Sequence, residues 1–127
     1  MSNQTKDRIL IVEDDSEFRR SLKRILQKAG YHVSSASNGS QASEMLNKRV
    51  YPLILLDLHM QGKSGLELLH EVKEKTPESK VIMITVDGSA DNYSEAMSTG
   101  AFAVLQKPLK MKKLLTYASM ALNNNLN

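Results

Sequence analysis

One hundred and twenty-seven residues are enough for one compact domain with a real core and too few for two. Hydrophobic residues make up 41% and charged residues 24%, ordinary for a soluble globular chain, and the lack of cysteine excludes disulfides and thiolate metal sites, as suits the reducing cytoplasm. A net charge of +3 without a basic stripe of interleaved aromatics argues against direct nucleic-acid binding, and no segment is long and apolar enough to enter a membrane as a span.

The polar stretch from Met1 to Asp7 does not read as a signal peptide. Arg8-Ile9-Leu10-Ile11-Val12 is then a short apolar run of the kind buried on both faces of a sheet, and it runs into acid at Glu13, Asp14 and Asp15. Phe18, Leu22, Ile25, Leu26 and Ala29 follow at helical spacing, with Asp15 or Ser16 as cap and Gly30 as stop. Strand, acidic turn and amphipathic helix open a βαβ unit. Tyr31 to Ala36 is a weaker strand, expected at an edge. Asn38, with Gln41 three residues on, has the spacing of a cap for a helix carrying Ala42, Met45 and Leu46.

From Val50 to Asp57 the chain sets four consecutive large aliphatics directly before a carboxylate, which predicts a central strand with Asp57 where it leaves the core. Beyond the Gly62 to Gly65 loop, Ser64 and Glu67 have capping-box spacing and start a helix through about Lys75, with Leu66, Leu69 and Val72 inward and Pro77 closing it. Lys80 to Thr85 is another buried strand, ending in a hydroxyl. A helix around Ala90 to Ser98 is poor in strong helix formers and is expected among the more mobile parts. Ala101 to Lys107 is a fifth strand, ending in a cation. A last helix from Lys110 to Asn123 puts Leu114, Leu115, Ala118 and Leu122 near one face. The domain is expected over 1–122, with 123–127 a polar tail or the start of a linker.

Five strands alternating with five helices predict an α/β fold, a parallel sheet covered on both sides. Right-handed crossovers bring the carboxyl ends of the strands to one edge, where ligands collect in such sheets. Glu13-Asp14, Asp57, Thr85 and Lys107 stand at those ends. Alone, each has an ordinary role as a cap, a turn hydroxyl or a solvated charge; their joint placement at one edge points to a site. Two carboxylates ~4 Å apart repel by about 4 kcal/mol at an effective dielectric of ~20, so Glu13, Asp14 and Asp57 need compensation. A divalent cation together with Lys107 would supply it, and an oxygen-only donor set favours the hard ion Mg²⁺. Gly62-Lys63-Ser64 has the look of a Walker A tail, but Asp57 stands where that loop needs glycine. A phosphatase using two aspartates one residue apart is disfavoured by His59.

Ile9-Leu10-Ile11-Val12-Glu13-Asp14-Asp15, then Leu55-Leu56-Asp57-Leu58-His59-Met60 with Gly62 and Gly65, then Ile84-Thr85, and Gly100-Ala101 leading to Lys107-Pro108 form an ordered set. Over nearly its whole length the chain resembles the receiver domain of two-component response regulators. The resemblance implies a doubly wound, flavodoxin-like sheet of order 2-1-3-4-5, and Asp57 as phosphoacceptor for a histidine kinase, a phosphotransfer protein or a small phosphodonor. It implies Mg²⁺ bound directly by Asp14, through water by Glu13, and by the Asp57 carboxylate and the His59 backbone carbonyl. Lys107 would pair with one phosphoryl oxygen and Thr85 would hydrogen-bond another and move inward, and the Lys107–Pro108 bond would be cis. Such a chain is no enzyme beyond its own phosphorylation and dephosphorylation. It would pass a change in helix 4, strand 5 and helix 5 to an output protein or domain, or to a second copy in a homodimer.

Several positions depart from the family pattern. Val104 stands where an aromatic switch residue is usual, and strand alternation is expected to put Phe102 on the same face as Val104. Val86 follows Thr85 where a small residue is usual, which would narrow access, and Gln61 replaces a common proline. His59 and Asp87 flank the expected entry for hydrolytic water and are candidates for tuning dephosphorylation. These departures keep a second reading open, a degenerate receiver serving as a constitutive protein-interaction module. The seven methionines read as core filler, and Lys110, Lys112 and Lys113 as a solvated face.

Overall fold

In the computed structural model, which describes residues 8–123, strands and helices alternate along the chain. They are β1 (Arg8–Val12), α1 (Ser16–Lys28), β2 (His32–Ala36), α2 (Gly39–Lys48), β3 (Leu53–Asp57), α3 (Gly65–Lys75), β4 (Lys80–Thr85), α4 (Ala90–Thr99), β5 (Ala103–Gln106) and α5 (Met111–Asn123). The five strands are parallel and ordered β2-β1-β3-β4-β5, the expected doubly wound order with β2 at one edge. Met1 to Asp7, and all of the expected 123–127 tail except Asn123, lie outside the described residues. Among the described residues no helix is long and apolar enough to cross a membrane.

Alternation along the central strands feeds two cores. Leu10, Val12, Ile54 and Leu56 point to the face covered by α2, α3 and α4, where they meet Ala42, Leu68, Leu69 and Ala96. Ile9, Ile11, Leu53 and Leu55 point to the other, under Leu22 and Leu26 of α1 and Leu114 and Ala118 of α5. Every residue of β3 is buried, which is why its sequence reads as an unbroken apolar run rather than an alternating one. At about 1.5–3 kcal/mol for each buried aliphatic side chain, these two layers are the main favourable term in folding.

Local chemistry moves several boundaries from their expected places. β3 begins at Leu53, not Val50: Pro52 has no N–H to donate, although its carbonyl accepts from Lys80 N at 2.8 Å, and Val50 is 49% exposed. β5 begins at Ala103 because the chain turns at Gly100, the left-handed C-cap of α4 with φ +118°. Phe102 therefore precedes the strand and does not follow its alternation. It packs on the α1–α5 side of the sheet while Val104 packs on the opposite side, and the expected shared face does not exist. On α3 the buried residues are Gly65, Leu68, Leu69 and Val72, with Leu66 half-buried beside them. α5 starts one residue late at Met111 and buries Leu114, Ala118 and Ala121, leaving Leu115 and Leu122 half-buried. Ala29 is the exposed C-cap of α1, not part of its inward stripe. Asn38 caps α2 by accepting from Gln41 N, but the Gln41 side chain reaches back to Ser37 N at 2.6 Å, one residue before the cap.

Candidate functional site

Val12 pairs with Leu56 across β1 and β3, so the residues that follow, Glu13 and Asp57, leave the sheet side by side. Both have the strand parity of the α1–α5 core, and both are buried, Glu13 2% and Asp57 7% exposed. Each carboxylate is aimed by a nearby main-chain donor. Asp15 N donates to Glu13 Oε2 at 3.0 Å, and His59 N donates to Asp57 Oδ1 at 3.1 Å. The turn after β1 is further held by Arg19, whose Nη1 donates to the Glu13 carbonyl at 2.8 Å. On the other side of Asp57, the first turn of α3 presses on the end of β3. A Cβ on Gly65 would fall inside contact distance of the Asp57 carbonyl oxygen and 2.8 Å from Leu58 Cα, so this approach requires glycine.

Lys107 arrives from the far end of the sheet. β5 is separated from β1 by β4 and β3, and the long stem of Lys107 brings its ammonium across their ends to 3.2 Å from Glu13 Oε1 and 3.7 Å from Asp57 Oδ2. Its own N–H donates to the Thr85 carbonyl at 2.7 Å, and the following Lys107–Pro108 bond is cis. Asp14 is exposed, yet carboxylate oxygens of Glu13, Asp14 and Asp57 all lie within 4.8 Å of one another. Burial pushes the Glu13 carboxyl up from its usual 4.5 to about 7, and the charge on Asp57 adds to the rise; the Asp15 N–H and the Lys107 ammonium pull it back down. One ammonium cannot balance this cluster of carboxylates. A compact set of oxygen donors with excess negative charge fits a hard divalent cation, and Mg²⁺ among them.

The remaining expected residues fall at the same edge but not in the same cluster. Thr85 is fully buried, and its hydroxyl is engaged by Asp87 in both directions, accepting from Asp87 N at 3.0 Å and donating to Asp87 O at 3.2 Å. It has the parity of Val81 and Met83, opposite to that of Asp57. The loop it holds is tied to α4 by Asn92 Nδ2, which donates to Asp87 O at 3.1 Å, and Ser89 N donates to Asp87 Oδ1. His59 and Asp87 are exposed, and Val86 is 65% exposed.

Two neighbours of the site went unnoticed in the sequence. Arg19 acts on a main-chain carbonyl, for which no side-chain pattern exists. Phe18, whose ring centroid lies 4.5 Å from Lys107 Nζ, was visible only as a member of an apolar stripe.

A family model described as the response regulator receiver domain matches residues 9–119. The chain is 38% identical over 122 residues to the transcriptional regulatory protein ZraR of Klebsiella oxytoca, covering 96% of this chain and 27% of that protein. It is 35% identical over 108 residues to the response regulator receiver protein CpdR of Brucella abortus (strain 2308), covering 85% of this chain and 90% of that one. Among solved structures it matches the response regulator receiver domain protein (CheY-like) from Methanospirillum hungatei JF-1 with a TM-score of 0.89 at 31% identity, over 93% of this chain and 94% of that chain. The chain thus spans little more than a quarter of the longer regulators it resembles and nearly all of the short one.

Proposed function

Because this chain belongs to the response regulator receiver domain family, we propose that it is a phosphorylation-operated switch whose phosphoacceptor is Asp57. The phosphoryl group would come from a histidine kinase, a phosphotransfer protein or a small phosphodonor. The observation that carries this reading is the state of the Asp57 carboxylate. Oδ1 is held by His59 N–H, while Oδ2 stands 3.7 Å from an ammonium. Oδ2 is the nucleophile. A bond forms from it to phosphorus as the phosphorus–nitrogen or phosphorus–oxygen bond of the donor breaks, the donor keeping the electron pair.

Charge spreads over the phosphoryl oxygens in the transition state, so fixed positive groups do most of the work. Lys107 shifts from Asp57 and Glu13 to one of those oxygens. Receiver domains bind Mg²⁺ at an acidic pocket; here Glu13, Asp14, Asp57 and the His59 carbonyl would hold it, and when bound it supplies positive charge against the phosphoryl oxygens. Thr85 gives its hydroxyl to another phosphoryl oxygen and in doing so releases Asp87. The loop before α4 then loses two hydrogen bonds, and α4, which fully buries only Ala96, is the element most easily displaced.

The changed surface of α4, β5 and α5, with Tyr93, Met97 and Met120 exposed on it, would meet an output protein or a downstream domain, or a second copy of the chain. Val104 in place of an aromatic leaves the Thr85 movement as the route of coupling. We read 1–122 as the signalling domain and 123–127 as its tail or linker, in the cytoplasm, with no chemistry beyond its own phosphorylation and dephosphorylation.

Intact mass after incubation with a small phosphodonor and Mg²⁺ tests the reading, beside Asp57→Asn and a chelated control. A single phosphoryl adduct that needs both Asp57 and Mg²⁺ is expected. No adduct from that donor, and none from a phosphorylated histidine kinase, would leave the chain as a constitutive protein-interaction module.

A further inference from the structure

We propose that Phe18 is a positioning residue for Lys107, its ring face holding the ammonium at the acidic pocket before the phosphoryl group arrives. The proposal rests on Asp57 being the phosphoacceptor. Phe18, Leu22 and Leu26 repeat every four residues and form the inward stripe of α1. Leu22 and Leu26 are fully buried in the core, but Phe18 is only half-buried, because the stripe reaches the edge of the sheet there. Its position is well determined. Asp15 caps α1 by accepting from Glu17 N at 3.0 Å and from Phe18 N at 3.2 Å, within the same turn that carries Glu13 and Asp14.

Where the stripe runs out of aliphatic partners, Phe18 meets the Lys107 ammonium instead, 4.5 Å from its ring centroid. The face of a phenyl ring is negative and attracts a cation, more strongly as water is withdrawn. The Lys107 side chain is 21% exposed, so most of its surface is out of solvent. The ammonium is thus bounded on three sides, by Glu13 Oε1 at 3.2 Å, Asp57 Oδ2 at 3.7 Å and the ring. These contacts differ in what they ask of the reaction. A lysine stem is flexible, and with carboxylates alone the ammonium must break an ion pair to reach a new oxygen. The ring restrains it without a charge to break, and a shift from Asp57 Oδ2 to a phosphoryl oxygen on that same atom leaves the ring contact in place. A second pair in this chain, Lys80 over Phe102, has its ammonium 6.0 Å from the centroid, at the limit of such attraction, and Lys80 opens β4 at the end of the strand away from the site.

Fluorination draws electron density from the ring face with little change of shape, which separates the ring's charge distribution from its packing. The experiment replaces Phe18 site-specifically with mono-, di- and trifluorinated phenylalanine and measures the rate of Asp57 adduct formation from a small phosphodonor at saturating Mg²⁺. The Lys107 ε-methylene proton shifts, moved by the ring current, report the contact independently of phosphorylation. Expected are a rate that falls with each fluorine, about five-fold for each ~1 kcal/mol of attraction removed, a flat response to the same series at Phe102, and loss of the ring-current shift in Phe18→Leu. Equal rates across the Phe18 series in a chain that forms the adduct would overturn the positioning role alone. Failure of the unsubstituted chain to form any adduct would overturn the phosphoacceptor reading, and the positioning role with it.

Discussion

Asp57 is placed by its immediate surroundings, and one of its neighbours must be a residue that has no side chain. Gly65 lets the first turn of α3 close on the Asp57 carbonyl and on Leu58, and Gly65→Ala forces a Cβ against main-chain atoms at that point. We expect Gly65→Ala to lower stability by about 1–3 kcal/mol in urea unfolding and to slow Asp57 phosphorylation, since the displaced peptide is that of the proposed phosphoacceptor. An unchanged unfolding midpoint would mean that α3 simply moves away. Thr85→Val keeps the shape and removes the hydroxyl that Asp87 uses twice. It is expected to cost about 1 kcal/mol, to slow phosphoryl transfer without abolishing the adduct, and to speed amide exchange at Asp87. At this scale the sequence was legible where a polar residue closes an apolar run, as at Glu13, Asp57 and Thr85. It was silent on Arg19, which donates to a carbonyl, and on which way the Thr85 hydroxyl turns, since both depend on atoms brought together by the fold.

Among the elements, α2, α3 and the loop after β3 are tied by one carboxylate. Glu71 Oε1 lies 2.8 Å from Lys63 Nζ and accepts from Ser43 Oγ at 3.0 Å, while Glu71 Oε2 lies 3.0 Å from Lys75 Nζ, which also donates to Asn47 Oδ1 at 2.6 Å. The Lys63 stem passes so close to Gly39, the first residue of α2, that a Cβ there would sit 2.7 Å from Lys63 Cβ. Burial pushes the Glu71 carboxyl upward, but the hydrogen bonds from Lys63, Lys75 and Ser43 outweigh it and hold it at about 2, below its usual 4.5. A carboxyl depressed in the folded state adds stability that is present above its unfolded pKa and is lost as pH falls through the folded one. Glu71→Gln should therefore be less stable by about 1–2 kcal/mol at neutral pH, the difference shrinking from about pH 4.5 towards pH 2 in urea unfolding. A difference that is the same at both ends of that range would remove the ionised carboxylate as its cause. α4 is the opposite case. With Ala96 its only buried residue, against four on α3, its amides should exchange with solvent well before those of α3, and comparable protection in both helices would contradict the role proposed for it as the element that moves.

For the whole molecule, the two cores share one sheet, and the site sits at the edge of that sheet where β1, β3 and β5 deliver their polar ends. A cation bound there stabilises only the folded chain, because the carboxylates of residues 13, 14 and 57 are not held together once the sheet is lost. Mg²⁺ at a hundredfold excess over its dissociation constant should add about 2.7 kcal/mol and raise Tm, and Asp14→Asn should remove most of that rise. An equal rise in Asp14→Asn would place the ion elsewhere. The sequence by itself determined the layered α/β architecture and the candidate edge. Buried parallel strands are short unbroken apolar runs, and the residue that ends such a run is where the chain leaves the core; both are local properties of the chain. Only the tertiary structure decided which side chains meet. That Lys107 crosses two strands to reach Glu13, that Phe18 lies against its ammonium, that Phe102 and Val104 part to opposite faces, and that Lys63 is clasped by Glu71 all depend on elements far apart in the chain. Their contacts are set by sheet order, strand register and a turn at Gly100, and no local pattern encodes the distance between two residues that only the packed sheet brings within reach of each other.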